Sequence, residues 1–92
     1  MERDFVIADF KKLFPKAFVK KGEEFDDRTS DSIWLSAEEP EITTMKGLPI
    51  FNYYAMGSHY ELGVLVEFMA WLEERGWYAE WYDPGTIFLY EG

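Results

Sequence analysis

WYAEWYDPGTIFLY, residues 77–90, is the stretch on which the fold turns. Two aromatic-rich runs, Trp77 to Tyr82 and Thr86 to Tyr90, flank Asp83-Pro84-Gly85. Proline followed by glycine suits the two central positions of a type II turn, where glycine accepts positive φ, so the segment predicts a β-hairpin. Such a ribbon needs further strands and a covering layer to be stable in water.

The segment before the hairpin reads as the covering layer. Ser58-His59-Tyr60-Glu61 has the spacing of a capping box and predicts a helix that opens there. Leu62, Leu65, Val66, Met69 and Leu72 recur at helical spacing, and Gly76 after Arg75 is a natural stop. A second apolar stripe, Val64, Phe68 and Trp71, widens that surface beyond one sheet contact and offers a homodimer face.

Further upstream, Asp4 is positioned to cap a first helix carrying Val6, Ile7, Phe10, Leu13 and Phe14, which Pro15 ends. Ala17 to Lys20 suits a short strand. Ser32 to Ala37 alternates, with Ile33 and Leu35 on one face and Trp34 on the other. Residues 22–31 and 37–47 read as loops, and Leu48 to Met56 as a third strand. The expected order is α-β-β-β-α-β-β: a single α+β domain over 1–92, a two-layer sandwich of about five mainly antiparallel strands with two helices on one face.

Composition narrows the function. A chain of 92 residues buries roughly 60–65% of its unfolded surface, enough for one modest core. It has no cysteine, so stability rests on packing, and a reducing cytoplasmic setting is expected. The start MERDFVIADFKK suits neither a secretory signal nor an anchor. No run approaches the roughly 18 apolar residues of a membrane span.

Eighteen acids face nine bases, a net charge of −9. The charges are also segregated. Residues 1–21 hold six bases and three acids; the rest hold fifteen acids and three bases. Within 23–41, EEFDDRTSDSIWLSAEEPE, eight carboxylates meet one base, Arg28. Such a field repels nucleic acid and anionic membrane, so neither is expected as a direct partner.

Enzyme chemistry finds little support. His59 is the single histidine, and Ser58 beside it reads as a cap rather than a nucleophile. Loop carboxylates surrounded by other carboxylates lack the burial that separates an acid from a base. Asp27 and Asp31 approach calcium-loop spacing, but Ser32 and Glu38 stand where an EF-hand needs its glycine and closing glutamate. No glycine pair has phosphate-loop spacing. No enzyme, cofactor or metal is expected.

Two readings of the acid run remain. Solvated loop acids keep a protein soluble and discourage edge pairing. Alternatively Glu23, Glu24, Asp26, Asp27, Asp31, Glu38, Glu39 and Glu41 face a basic partner, with Trp34 as the expected exposed anchor and Phe25, Tyr53, Tyr54, Phe68 and Trp71 as further candidates. A simple antiparallel strand would place the two acidic loops at opposite ends.

A small, cysteine-free, acidic domain with FDDRTSD before a strand and a helix running into ERGWYAEWYDPGT resembles small bacteriophage accessory proteins of the anti-CRISPR and DNA-mimic inhibitor class. The resemblance is one of overall character and transfers no residue by position. It implies stoichiometric, cofactor-free binding to a host nucleoprotein, most of all a CRISPR-Cas effector, at a basic nucleic-acid channel in the bacterial cytoplasm. A nuclease-immunity protein is similar in size and charge. A phage assembly module that oligomerises through the apolar helix face is the structural alternative.

Overall fold

The computed structural model describes residues 1–25 and 31–92. Its elements are α1 (Arg3–Leu13), β1 (Val19–Lys21), β2 (Ile33–Ser36), β3 (Thr44–Met45), β4 (Leu48–Pro49), β5 (Tyr60–Glu61), β6 (Val64–Leu65), α2 (Val66–Glu74), β7 (Trp77–Asp83) and β8 (Thr86–Glu91). Short 3-10 turns occupy Gly22–Glu24 and Pro40–Ile42. The class is α+β. Among the described residues one antiparallel sheet has the order β1-β2-β8-β7, and β3-β4 and β5-β6 form separate two-stranded ribbons.

The predicted hairpin is β7-β8, but its turn differs from the expectation. Gly85 does not take positive φ, so the turn is not type II. The Asp83 side chain sets it instead: Oδ1 accepts from the Gly85 N–H at 2.9 Å. β8 lies between β7 and β2 and is the one strand with three consecutive buried residues, Ile87, Phe88 and Leu89. Ile87 and Leu89 face the helices with Ile33 and Leu35 of β2, and there they meet Val6 and Phe10 of α1 and Phe68 and Leu72 of α2.

The largest departure lies between residues 48 and 66. Strand structure in the third predicted strand is confined to Leu48–Pro49, with an isolated bridge from Phe51 to Val64. The second helix opens at Val66, not after Ser58, and Tyr60–Leu65 folds as a hairpin. Two ribbons therefore replace one long strand and two helical turns. Both close through a residue-glycine pair: Lys46 and Gly47 at φ 53° and 82°, Leu62 and Gly63 at 51° and 77°. Positive φ at both central residues is the type I′ geometry, whose twist matches that of paired strands.

The apolar stripes are consequently redistributed. Phe68 is 0% exposed and Val64 is buried, while Trp71 stacks on Phe68 with ring centroids 5.4 Å apart. Phe10 of α1 meets both rings edge-on, and the Arg75 guanidinium caps Trp71 at 4.0 Å while its Nε donates to Asp9 Oδ2 at 3.2 Å. Phe68 and Trp71 of the expected homodimer face thus form the seam between α1 and α2, while Val64 is buried on β6, bridged to Phe51. Leu62, assigned to the other stripe, is 87% exposed at a hairpin tip. At α1, Glu2 rather than Asp4 is the N-cap residue, without a side-chain hydrogen bond, and Asp4 sits in the first turn, where a carboxylate complements the helix dipole. Gly76 stops α2 as expected, at φ 76°.

The two turn glycines differ in a testable way. A Cβ on Gly63 would come within 2.9 Å of the Asn52 carbonyl oxygen and 3.1 Å of the Trp81 ring, whereas one on Gly47 would meet nothing within 4 Å. Gly47→Ala should cost about 1–2 kcal/mol, the price of the left-handed conformation alone. Gly63→Ala should cost more, because backbone must move as well. Urea unfolding of the pair checks the order, and equal losses would contradict the packing assigned to the β5-β6 turn.

Candidate functional site

The acid run is split by β2 into two groups with different surroundings. Before β2, Gly22 donates its N–H to the Ser32 carbonyl at 2.9 Å, which fixes the 3-10 turn against the strand. Glu23 accepts two hydrogen bonds from Arg3, at 2.7 and 3.0 Å, and Arg3 also donates to the Ser32 carbonyl at 3.2 Å. Glu24 accepts from the Lys21 backbone N–H at 3.0 Å. These two carboxylates therefore hold the turn together. Asp31 is exposed, with φ 69°. Asp26 and Asp27 lie outside the described residues.

Beyond β2 the acids are disposed otherwise. Ala37 donates to the Gly85 carbonyl at 3.0 Å, joining the strand exit to the β7-β8 turn. The Glu38 carboxylate lies over that turn, where a Cβ on Gly85 would come within 3.0 Å of Oε1. Glu39 and Glu41 are exposed at the 3-10 turn that follows, and Asp83 is exposed in the turn beneath Glu38. None of Glu38, Glu39, Glu41 and Asp83 has an ion-pair partner among the described residues. This end of β2 is a concentrated negative surface, and sequence reasoning missed Asp83 as a member because the β2-β8 pairing and the Ala37–Gly85 hydrogen bond bring it there.

Beside these acids runs a groove of about 250 Å³, lined by Pro40, Pro49, Phe51, Tyr53, Tyr54 and Pro84 among others. Three prolines hold its walls. Tyr54 is 77% exposed and meets Tyr53 edge-on at 5.2 Å; Tyr53 in turn rests on Trp81 at 5.0 Å. No Lys or Arg lines the groove. The tyrosine pair could be found in the sequence as two adjacent large rings in a run without core periodicity, which leaves at least one of them outside.

Trp34 is not the free anchor that its strand position suggested. It does lie on the sheet face away from the helices, opposite Lys20 on one side and Phe88 on the other. There it is half-buried beneath Phe18 and Phe25, at 4.8 and 5.0 Å. Phe25 also meets Phe88 and Tyr82, so this side has a small aromatic core of its own. Phe68 and Trp71 are spent in the helix seam. Of the aromatic candidates, Tyr53 and Tyr54 are the ones placed against acids and solvent together.

The remaining chemistry is spare. His59 is exposed, and its carbonyl accepts from Val66 N–H at 2.9 Å, the bond that leads into α2. Among the described residues no group of three or more His, Asp or Glu gathers to hold a metal. Burial pushes the Tyr60 phenol up, and its hydroxyl donates to the Pro49 carbonyl at 2.7 Å beneath the groove.

The Arg3 hydrogen bonds hold the Glu23 carboxyl below the usual glutamate range, aided by its own backbone N–H. A carboxylate with a depressed folded pKa stabilises above its unfolded pKa, and that contribution fades as pH falls through the folded value. Glu23→Gln should therefore be less stable than wild type at neutral pH, with the gap closing below the ordinary glutamate value of about 4.3. Urea midpoints across that range check it; a gap independent of pH would assign Glu23 no ionic role. Against known proteins, no protein family, no curated protein and no solved structure matches this chain.

Proposed function

We propose that this protein is a non-enzymatic inhibitor whose acidic end of β2 occupies a basic nucleic-acid-binding surface on a host nucleoprotein, with a CRISPR-Cas effector as the class implied by its general resemblance. One observation carries this reading: Glu38, Glu39, Glu41 and Asp83, without ion-pair partners among the described residues, stand beside a groove walled by Tyr53 and Tyr54. Acids that serve solubility alone need no groove next to them. A nucleic-acid channel presents Arg and Lys side chains. Carboxylates accept two parallel hydrogen bonds from a guanidinium, and tyrosine faces attract the same cation. The net charge of −9 steers a basic partner towards the surface, and the tyrosines supply the apolar contact that holds it.

The nuclease-immunity alternative uses the same chemistry and differs only in the partner. An assembly module working through Val64, Phe68 and Trp71 would need that face opened, since Phe68 and Trp71 pack against Phe10 of α1 and Val64 is buried on β6.

The test uses two sets of variants in bacterial lysate. A nucleoprotein retained by wild-type protein should be released by added duplex DNA and by salt above physiological strength, where the Debye length falls below about 8 Å. The triple variant Glu38→Gln, Glu39→Gln, Glu41→Gln should lose it while keeping its unfolding midpoint. Tyr54→Ala should weaken retention by about tenfold or more, the effect of removing an aromatic anchor worth about 2 kcal/mol. Retention by the triple variant equal to wild type, or indifference to added DNA, overturns this reading.

A further inference from the structure

A second cavity is lined by Trp81 at the open edge of the sheet. It holds about 360 Å³ between α2, β7 and the β5-β6 turn. Met69 and Leu72 of α2, Trp77, Ala79 and Trp81 of β7, and the exposed Leu62 form its apolar wall. The charged residues that line it are Glu61, Glu73 and Glu80, all exposed and with no base among them. Leu62 is held there in a conformation few leucines adopt. Its φ is 51°, and the Trp81 indole N–H donates to its carbonyl at 2.7 Å. A strained, exposed apolar residue at the mouth of a cavity is a device of binding sites.

The sheet edge beside it is unusual for a monomeric surface. Edge strands are ordinarily blunted by shortness, lysine or proline. β1, at the other edge, obeys this rule: it has three residues, and Lys20 and Lys21 are exposed. β7 does not. It runs for seven residues, WYAEWYD, with neither Lys nor Pro, and only the irregularity between Trp81 and Asp83 near its end interrupts its register with β8.

We infer that β7 is a strand-addition site: an extended basic segment of a partner protein pairs with its open edge, places an apolar side chain in the cavity, and sets Arg or Lys against Glu61, Glu73 and Glu80. Strand addition takes affinity from main-chain hydrogen bonds and specificity from pockets for alternate side chains, and this edge supplies both. The occupant is basic because Glu61 and Glu73 flank the cavity, no base lines it, and Glu80, across from Phe88 on the other sheet face, stands beside the alternate residues of an added strand. It is extended because a strand edge, not a helix groove, borders the cavity. This site is independent of the acidic end of β2.

The probe is a short acetylated peptide of alternating arginine and leucine, titrated at physiological salt into isotopically labelled full-length protein. Three controls accompany it: the same peptide with serine for leucine, and two N-methylated at alternate amides, one in each register. The expected result is chemical-shift change centred on Glu61, Leu62, Met69 and Ala79 to Trp81. Binding should weaken by about tenfold or more with serine, from the lost apolar burial. A similar loss is expected for one of the two N-methyl registers. Leu62→Asn should fold at least as well, since asparagine tolerates positive φ, and should bind more weakly. The Glu38, Glu39, Glu41 glutamine variant should bind the probe as wild type does. Equal binding of the serine peptide, indifference to N-methylation in both registers, or shifts centred on Glu38 to Glu41 overturns the inference.

Discussion

Burial of Phe88 is the constraint from which the rest of the arrangement follows. β8 is flanked by strands on both sides, so its residues have no route to solvent except above or below the sheet. Ile87 and Leu89 meet the helices below. Phe88 points to the face with no helix, yet it is 2% exposed. Its cover comes from the chain between β1 and β2, which folds Phe25 over it, and from Trp34 and Tyr82 beside it. A buried phenylalanine contributes about 1.5–3 kcal/mol, a large share of the margin by which a small domain is stable. The turn that bears Glu23 and Glu24 is therefore bound to the sheet through Phe25 and to α1 through the Arg3–Glu23 pair.

That arrangement decides what the acidic charge can do. Two of the acids before β2 are drawn into structure, Glu23 by its pair with Arg3 and Glu24 by accepting a backbone N–H, while Asp31 is exposed. The acids after β2 are left to solvent, because the strand exit is already satisfied through Ala37 and Gly85. A run that is continuous in sequence thus parts, among the described residues, into Glu23 and Glu24 held in structure at one end of β2 and Glu38, Glu39 and Glu41 left to solvent at the other. Trp81 touches both regions: it meets Tyr53 edge-on, its indole N–H donates to the Leu62 carbonyl, and its ring lines the β7 cavity.

Several elements were legible because their signals are local. Val6 and Phe10 sit one helical turn apart and ended buried; Ile33 and Leu35 alternate around Trp34 and did the same; Gly76 stopped α2. The Ser58 to Glu61 capping box misled because its four residues say nothing about the glycine that follows. Leu62-Gly63 makes a tight I′ turn, and with it Val64 and Leu65 pair back onto Tyr60 and Glu61 instead of continuing a helix. Lys46-Gly47 carries the same signal. At Leu62-Gly63 the residue-glycine pair outweighed helical periodicity, since periodicity over so few residues is compatible with either structure.

By itself the sequence determined the α+β class, the β7-β8 hairpin, the inner face of β2, the end of α2 and the separation of charge along the chain, because each depends on neighbours within a few residues. Tertiary structure decided the sheet order, the half-burial of Trp34 under Phe25, the use of Phe68 and Trp71 as a helix seam, and which carboxylates stayed without ion-pair partners among the described residues. Those outcomes depend on contacts between residues far apart in the chain, such as Arg3 with Glu23 and Ala37 with Gly85. Local propensity carries no information about such contacts until the β2-β8 pairing brings them within reach.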